Sequence, residues 1–541
     1  MHLSMRNAGG PRFLLVGPYD PHCGEYTFLA PPLGVWRLAG ALQARGVHTE
    51  VFDPNCCGPQ VADAFERTLR SNAWDLIGFS TTAMTLRFDL GLAHQARNLV
   101  PQATIVAGGM EATFKPERIF ELGPFDCVVL GEGEYPLLEV ARRFQSGRDL
   151  AGIAGTALRT HAGGVARFHQ IAMTQAQLTE AIRDTPYEQM PYERYWQRLE
   201  NVYEVGALPY KAEREARLAE IRAVRLITLN YCPMGCSFCS STNYLHEAQG
   251  GVARIARLDV AACMDMLKRI VATHPGVRTV YFQDDIFVFT QDQRLLPLCR
   301  EIVAAKERGE LPQDLGFIST NRIDSMSTER LTAMRRAGFR VLGFGIENFS
   351  LAVLKEFNKR QIHRHIEPVL TTALRLGITP FLDLILTSPR STLADLAQNV
   401  RHAARWIEAG CEVGVYPYVI PFSGSALAAD PELSAHTVYE TRGVPGTNLT
   451  WSEATKILPA DSQTRDVILE VEERYETACR SLTRSVSHLP SRMRSLLWLQ
   501  AAQEILLKAG EPTAPQGPAP RSLRHGHSHP VVPIVGDLAV G

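Results

Sequence analysis

The apolar positions of this chain fall into two long series. In the first 145 residues, short apolar runs alternate with segments whose apolar residues recur at helical spacing. RFLLVG (12–17), HTEVFDP, WDLIGFS (74–80), ATIVAGG (103–109) and FDCVVLGEGE (125–134) read as strands. PPLGVWRLAGALQARG (31–46), ADAFERTLRS, LRFDLGLAHQARNLV and PLLEVARRFQ read as helices between and after them, with Gly46 as a C-cap. Five such strands predict a doubly wound, Rossmann-like parallel sheet. Ligands bind such sheets outside the carboxyl ends of the strands. Those ends carry PYDPHCGE, STTAMT, GGMEAT and GEGE, whose small residues let a ligand approach the backbone.

A second alternation starts near residue 223. VRLITLN (224–230), VRTVYFQDD (277–285), LGFIST (315–320), VLGFGIE (341–347), FLDLILTS (381–388) and VGVYPYVI (413–420) read as strands separated by helices. Six strands make a partial (β/α)6 parallel barrel, whose chemistry sits at the strands' carboxyl ends. The domains expected are therefore a Rossmann-like domain over 1–145, a linker over 146–220 that packs partly on its neighbours, and a barrel over 221–425. A mostly helical region over 426–510 and a disordered Pro-, Gly- and His-rich tail over 511–541 follow.

Composition narrows the class. The chain has 541 residues, too many for one core. Its 45% apolar and 21% charged residues are those of a soluble globular protein. A formal net charge of −1 offers no electrostatic case for nucleic acid or an acidic membrane surface. The polar N-terminus, MHLSMRNAGGPR, does not read as a signal peptide, and no apolar run of roughly 18 residues predicts a membrane span. The cysteines do not read as a disulfide framework, so a reducing cytoplasm is expected.

The densest chemistry is CPMGCSFC (232–239), directly after the first barrel strand. Cys232, Cys236 and Cys239 are spaced C-x3-C-x2-C, one thiolate short of a closed tetrahedral site. Two readings stand on the residues: zinc with His246 as fourth ligand, or an iron–sulfur cluster with one iron left open. Asp284-Asp285, Asn321-Arg322 and Glu347 end later barrel strands and so fall at the same end.

With Phe238 as the apolar residue before the third cysteine, the motif resembles that of the radical S-adenosylmethionine (SAM) superfamily. GIENFSLAVLKEFNK further resembles a signature of its members with an N-terminal cobalamin domain. The resemblance covers roughly 11–145 and 220–425. It implies that Cys232, Cys236 and Cys239 hold a 4Fe-4S cluster whose open iron takes SAM. It implies adenine contact by Phe238, and amino-group contact by Gln283, Asp284 and Asp285 in YFQDD. Ribose and carboxylate contacts would come from Ser319, Asn321, Arg322 and Glu347. In the first domain it implies cobalamin contact by Ser80, Thr81 and Thr82, by Gly108, Gly109 and Met110, and by Gly131, Glu132 and Gly133. Where many relatives carry G-x-P-G-E-T, this chain has TSPRST (387–392), keeping Pro389 and Thr392 but losing the glycines and glutamate. DPHCG (20–24) is similar to the D-x-H-x-x-G of other cobalamin proteins, but its glycine comes one residue early; cobalamin without a protein histidine ligand is expected, with His22 a loop residue.

The implied activity is methylation of an unactivated carbon of a small molecule through a 5′-deoxyadenosyl radical, with an electron from a flavodoxin- or ferredoxin-type donor. Cyclisation or rearrangement without methyl transfer is the neighbouring alternative, and a zinc-stabilised binding protein the alternative from another class. A methylthiotransferase would need further cluster cysteines, which Cys23, Cys56, Cys57 and Cys127 do not form. Several features also have plain structural readings. Asp284-Asp285 could open the next helix, Arg322 and Glu347 could pair across strands, and Tyr416, Pro417 and Tyr418 could pack in the core. Cys56, Cys57, Cys127, Cys263, Cys299, Cys411 and Cys479 read as buried small hydrophobes. HGHSH (525–529) reads as solvated tail.

Overall fold

The computed structural model describes residues 10–22, 29–251, 253–482 and 491–512. The tail after 512, with its HGHSH, and Cys23-Gly24 lie outside them. The first domain is built on β1 (Arg12–Val16), β2 (His48–Phe52), β3 (Leu76–Ser80), β4 (Thr104–Gly108) and β5 (Cys127–Val129), all parallel. The strand order is β2-β1-β3-β4-β5, so the chain reverses direction across the sheet between β1 and β3. That reversal opens the crevice where doubly wound sheets take their ligands.

The segment 146–220 is more ordered than a linker. β6 (Thr156–Arg159) and β7 (Val165–Phe168) form a hairpin on HAGGVA and extend the first sheet antiparallel to β5. Further on, the aromatics of PYEQMPYERYW are buried: Tyr187, Tyr192 and Trp196 join the hydrophobic cluster of the barrel. The Tyr187 hydroxyl donates to Arg225 O at 2.8 Å and Trp196 Nε1 to Ala223 O at 3.1 Å. These bonds seat the segment on the first barrel strand.

That strand is β8 (Ala223–Leu226), followed by β9 (Thr279–Phe282), β10 (Gly316–Asn321), β11 (Phe339–Glu347), β12 (Thr379–Ile385) and β13 (Glu412–Tyr416). They lie in sequence order in one parallel sheet, the open barrel that the apolar periods predict. Inside, Tyr281, Ile318, Val341 and Phe381 pack as a plug. The last strand stops at Tyr416, four residues before the apolar run suggests.

After the barrel the chain forms a hairpin before its helices. β14 (Thr437–Gly443) and β15 (Thr450–Ile457) pair antiparallel, and helices Ser462–Leu482 and Ser491–Lys508 follow. The hairpin straps the two domains together. Ile457 N donates to Val419 O at 2.9 Å on the barrel side. At the far end, Val444 and Trp451 pack into the first domain's core, Pro445 lies against Gly91, and Arg118 pairs with Glu453 at 3.1 Å.

One close approach ties the first domain to the middle segment. A Cβ on Gly40, in helix Leu33–Gln43, would come within 2.0 Å of Asp184 O. Backbone cannot yield as a side chain tip can. Gly40→Ala should therefore destabilise the protein by about 1–3 kcal/mol, read as a lower thermal midpoint and earlier proteolysis within 170–190.

Candidate active site at the barrel mouth

The loop from 232 to 239 has no regular secondary structure, and its position is set by what surrounds it. At its root, Thr228 N and Leu229 N donate to Asp284 Oδ1 at 2.6 and 2.8 Å, and Thr228 Oγ1 donates to Oδ2 at 2.6 Å. Arg294, itself buried, donates to Thr228 Oγ1 at 3.0 Å. Burial raises Asp284 to about 6 against the pull of Arg294 and these bonds. In the middle, Gly235 adopts φ +69° and its N–H reaches Thr242 Oγ1 at 3.1 Å. Across the loop, Ser237 N donates to Phe357 O at 3.0 Å and Asn358 Nδ2 to Gly235 O at 2.7 Å.

The loop forms one wall of a cavity of about 1290 Å³, open mouth included, at the carboxyl ends of the barrel strands. Cys232, Cys236, Cys239, Phe238, Gln283, Asp284, Asp285, Asn321, Arg322 and Glu347 all line it. Ser319 stays buried behind the wall, where its Oγ accepts from Asn321 Nδ2 at 3.0 Å. Asn321 Oδ1 is left buried without a hydrogen-bond partner. Both Asp284 oxygens hold the loop root, whereas Asp285 is solvent-accessible on the wall of the cavity. Partial desolvation at the cavity wall raises Asp285, opposed by a hydrogen bond with Ser241. Neither aspartate opens a helix, because the next one starts at Leu295.

The two charges at the later strand ends do not pair with each other. Arg322 binds Asp324 through both Nε and Nη2, at 3.0 and 2.8 Å. Glu347 accepts from Lys359 Nζ at 2.7 Å. A register shift between Gly345 and Glu347 and a left-handed φ of +61° turn the Glu347 side chain toward that lysine. Lys359, buried beside Cys236, was not singled out from the sequence, although it ends the GIENFSLAVLKEFNK stretch. Asp383 was missed as well; an acid inside the apolar run FLDLILTS was the available signal. Tyr416 and Tyr418 line the cavity and Pro417 does not. Tyr418 sends its hydroxyl to Glu472, away from the chemistry. Of TSPRST, Thr392 caps helix Leu393–Ala409 in a capping box with Asp395.

The donor set suits an iron–sulfur cluster. Burial, with Asp285 adding to it, pushes Cys232 up to about 12 and Cys239 to about 11; burial also raises Cys236, against Lys359. Protein groups alone thus favour thiols, and a cationic cluster supplies the charge that makes them thiolate ligands. Among the described residues no three His, Cys, Asp or Glu side chains converge as ligands of one ion. His246, the proposed fourth zinc ligand, instead hydrogen-bonds Tyr231 Oη through Nε2 at 2.6 Å.

On the first domain, Ser80, Thr82, Gly108, Gly109 and Met110 form a half-buried rim at the ends of β3 and β4. Thr81 lies beneath it, its N–H and Oγ1 both donating to Gly108 O. Gly109, at φ +96°, admits no Cβ, which would meet Thr81 O at 2.5 Å, so the ends of β3 and β4 pack backbone to backbone. Gly131, Glu132 and Gly133 are buried in the seam with the barrel, where Tyr244 Oη donates to Gly131 O at 2.6 Å. There Arg37 ion-pairs with Glu134 and stands 3.9 Å from Glu132. His22 lies edge-on to Phe88, with ring centres 6.0 Å apart. Cys56 and Cys57 are half-buried beside Asp53, unlike Cys127, Cys263, Cys299, Cys411 and Cys479, which are buried.

A Rossmann-like domain ahead of an open barrel with a three-cysteine loop at its mouth defines a class, and comparison with known proteins agrees. Residues 21–141 match the B12 binding domain and residues 226–403 the radical SAM superfamily. The chain belongs to the cobalamin-dependent radical SAM enzymes, whose cofactors are a 4Fe-4S cluster, SAM and cobalamin. An uncharacterized methyltransferase of Pyrococcus horikoshii, PH0819, is 22% identical over 376 residues, 69% of this chain and 73% of the relative. The anaerobic magnesium-protoporphyrin IX monomethyl ester cyclase of Cereibacter sphaeroides is 24% identical over 73% of this chain and 60% of its own length. Two solved structures share the fold. The radical SAM methyltransferase TsrM of Kitasatospora setae, with cobalamin and a 4Fe-4S cluster bound, has a TM-score of 0.63 at 15% identity, covering 92% of this chain and 99% of that one. The cobalamin-dependent radical enzyme OxsB has a TM-score of 0.64 at 14% identity, covering 92% and 72%.

Two predictions come from these side chains. Asp284→Ala should cost about 3 kcal/mol by leaving Arg294 and two buried N–H groups unanswered, whereas Asp285→Asn should keep the thermal midpoint and weaken SAM binding roughly tenfold; equilibrium dialysis with reconstituted protein separates the two. Burial raises Glu132 to about 8, with Arg37 opposing. A carboxyl raised in the folded state contributes stability below its unfolded pKa and loses it as pH rises through the folded one. The thermal midpoint should therefore fall as pH rises from about 4.5 to about 8, level off above that, and fall less in Glu132→Gln.

Proposed function

We propose that this enzyme methylates an unactivated carbon of a small molecule, using SAM as the methyl source and cobalamin as the carrier. The observation that carries the reading is the meeting of the three cysteines, Asp285 and the polar ends of β10 and β11 on one cavity. The methyltransferase relatives support the choice of reaction. When bound, the cluster and SAM supply a 5′-deoxyadenosyl radical and the corrin supplies the methyl group.

The chain's own residues then bind, orient and exclude water. Cys232, Cys236 and Cys239 hold three irons and leave the fourth for SAM. Asp285 and Gln283 receive its ammonium, Asn321 Oδ1 its ribose, and Arg322, with Lys359 beside it, its carboxylate. Phe238, packed at 5.1 Å against Phe357, offers a ring to the adenine. Tyr416 and the Tyr418 ring narrow the mouth against solvent. The rim of Ser80, Thr82 and Gly108–Met110 takes the corrin without a histidine ligand from the protein. The electron comes from a flavodoxin- or ferredoxin-type donor. We place the enzyme in the cytoplasm; no helix among the described residues is long and apolar enough to cross a membrane.

The cyclase relative favours a second reading, ring closure without methyl transfer. Protein reconstituted anaerobically with iron, sulfide and cobalamin, reduced and given SAM with a deuterated methyl group, separates them. Expected are about four irons per chain, fewer in Cys239→Ala, and deuterated methyl on the protein-bound corrinoid. Formation of 5′-deoxyadenosine with no label on the corrinoid would favour the cyclase reading, and stoichiometric zinc without iron would end both.

A further inference from the structure

The three cysteines of the loop do not share one electrostatic setting. At Cys232 and Cys239 burial raises the thiol, and the carboxylate of Asp285 adds to it. At Cys236 burial raises the thiol as well, but the leading charge is a cation, Lys359, which opposes it. The cysteines therefore lie between Asp285 at the end of β9 and Lys359 in the segment after β11, and all of them line one cavity.

Lys359 reaches that place by a specific turn. The short helix Leu351–Glu356 is closed at Asn358, whose left-handed φ of +49° lets Lys359 N donate back to Leu354 O at 3.0 Å. Asparagine accepts that conformation more readily than most residues with a Cβ. The same turn clamps the cysteine loop on both sides of Cys236. Ser237 N donates to Phe357 O at 3.0 Å, and Asn358 Nδ2 to Gly235 O at 2.7 Å. With 357 tied to 237 and 358 tied to 235, the next side chain, Lys359, enters the cavity wall beside Cys236.

Its ammonium is then fixed from the other side. Nζ donates to Glu347 Oε1 at 2.7 Å, and both side chains are buried. The pair lies against Gly345, where a Cβ would meet Lys359 Nζ at 2.8 Å, so bare backbone in β11 makes its room. Arg322, which also lines the cavity, is matched twice by Asp324 and donates to Arg360 O at 3.0 Å. Its influence on Cys236 comes after those of Lys359 and Glu347. One lysine and one glutamate thus dominate the field at this cysteine.

We propose that Lys359 and Glu347 set the reduction potential of the cluster through Cys236, the ammonium raising it and the carboxylate holding that rise in check. The proposal rests on the cluster assignment above. Reduction places one electron from the donor on a cluster that its three thiolates already make anionic, and no bond or proton is exchanged. A buried cation beside a ligand thiolate stabilises the added charge, because little solvent screens it. Lys359 alone would make the cluster easy to reduce but a weak reductant of SAM, and Glu347 returns part of that driving force. In this role both are positioning residues, acting through the ligand.

The test is a potentiometric titration of the reconstituted holoenzyme without SAM at neutral pH, read by the electron paramagnetic resonance of the reduced cluster. Titanium(III) citrate gives one electron per cluster and is left as titanium(IV). At a fixed potential, Lys359→Gln should favour the oxidised cluster about tenfold more than wild type does, a midpoint about 59 mV more negative. Lys359→Arg keeps the charge and should stay near wild type. Glu347→Gln should move the midpoint the other way, to more positive values. A loosened loop would shift both variants alike, so opposite signs single out charge. An unchanged midpoint in Lys359→Gln overturns the proposal, as do shifts of one sign in Lys359→Gln and Glu347→Gln. Should Lys359→Gln lose its iron, Glu347→Gln decides: a more positive midpoint supports the proposal and any other overturns it. Wild-type protein with no one-electron iron–sulfur signal would overturn the cluster assignment and the proposal with it.

Discussion

The structure turns on a loop that cannot hold itself. Eight residues carry the three metal-binding cysteines without a helix or strand among them, so their backbone polar groups and their position must be supplied from outside. Asp284 does this at the root. Its carboxylate, on β9's end, gathers two N–H groups and a hydroxyl from the residues that leave β8. The neighbouring strand thereby fixes where the loop begins, and residues 356–358 fix where its middle lies. Sequence separations of 55 residues on one side and about 120 on the other mean that the loop is placed only when most of the barrel has formed.

Charge in the cavity follows a rule of internal pairing. Arg322 is answered by Asp324 and Lys359 by Glu347, both pairs well buried. Buried pairs of this kind contribute little net stability, because desolvation offsets their attraction. Their value here is orientation: each cation is held at the wall in one geometry and still borders the cavity. Asp285 differs, since its open carboxylate has the site itself as its main surroundings. Glu347 holds its side chain there from a left-handed backbone, at φ +61°.

The two domains meet at more than one place, and the contacts are of different kinds. The seam below is polar and buried, with Arg37, Glu132 and Glu134 beneath Tyr244. The hairpin above is apolar at its tip, where Val444 and Trp451 enter the first domain's core. Both limit how far the domains can separate, which suits an enzyme that must keep a radical from water.

Much of this was legible in the linear chain. Strand runs such as WDLIGFS and VLGFGIE are short, apolar and bounded by helical periods, so local pattern alone predicted both parallel sheets. CPMGCSFC announced metal chemistry because three soft ligands at that spacing have few other uses, and the strand-end rule put Asp285, Asn321 and Glu347 beside it. What pattern could not supply was which partner each polar group would find. Asp284 and Asp285 are adjacent and chemically identical in the sequence; only the β8–β9 register turns one into a loop anchor and leaves the other facing the cavity. Lys359 acquired its role from a bulge at Gly345–Glu347 that no periodicity records, and the hairpin at 437–457 was hidden by its half-exposed, weakly alternating strands. Secondary structure and ligand chemistry follow from residue types at short range, so the chain alone determined them. Pairing, burial and the direction a side chain faces depend on contacts tens or hundreds of residues apart, and these only the tertiary structure decided.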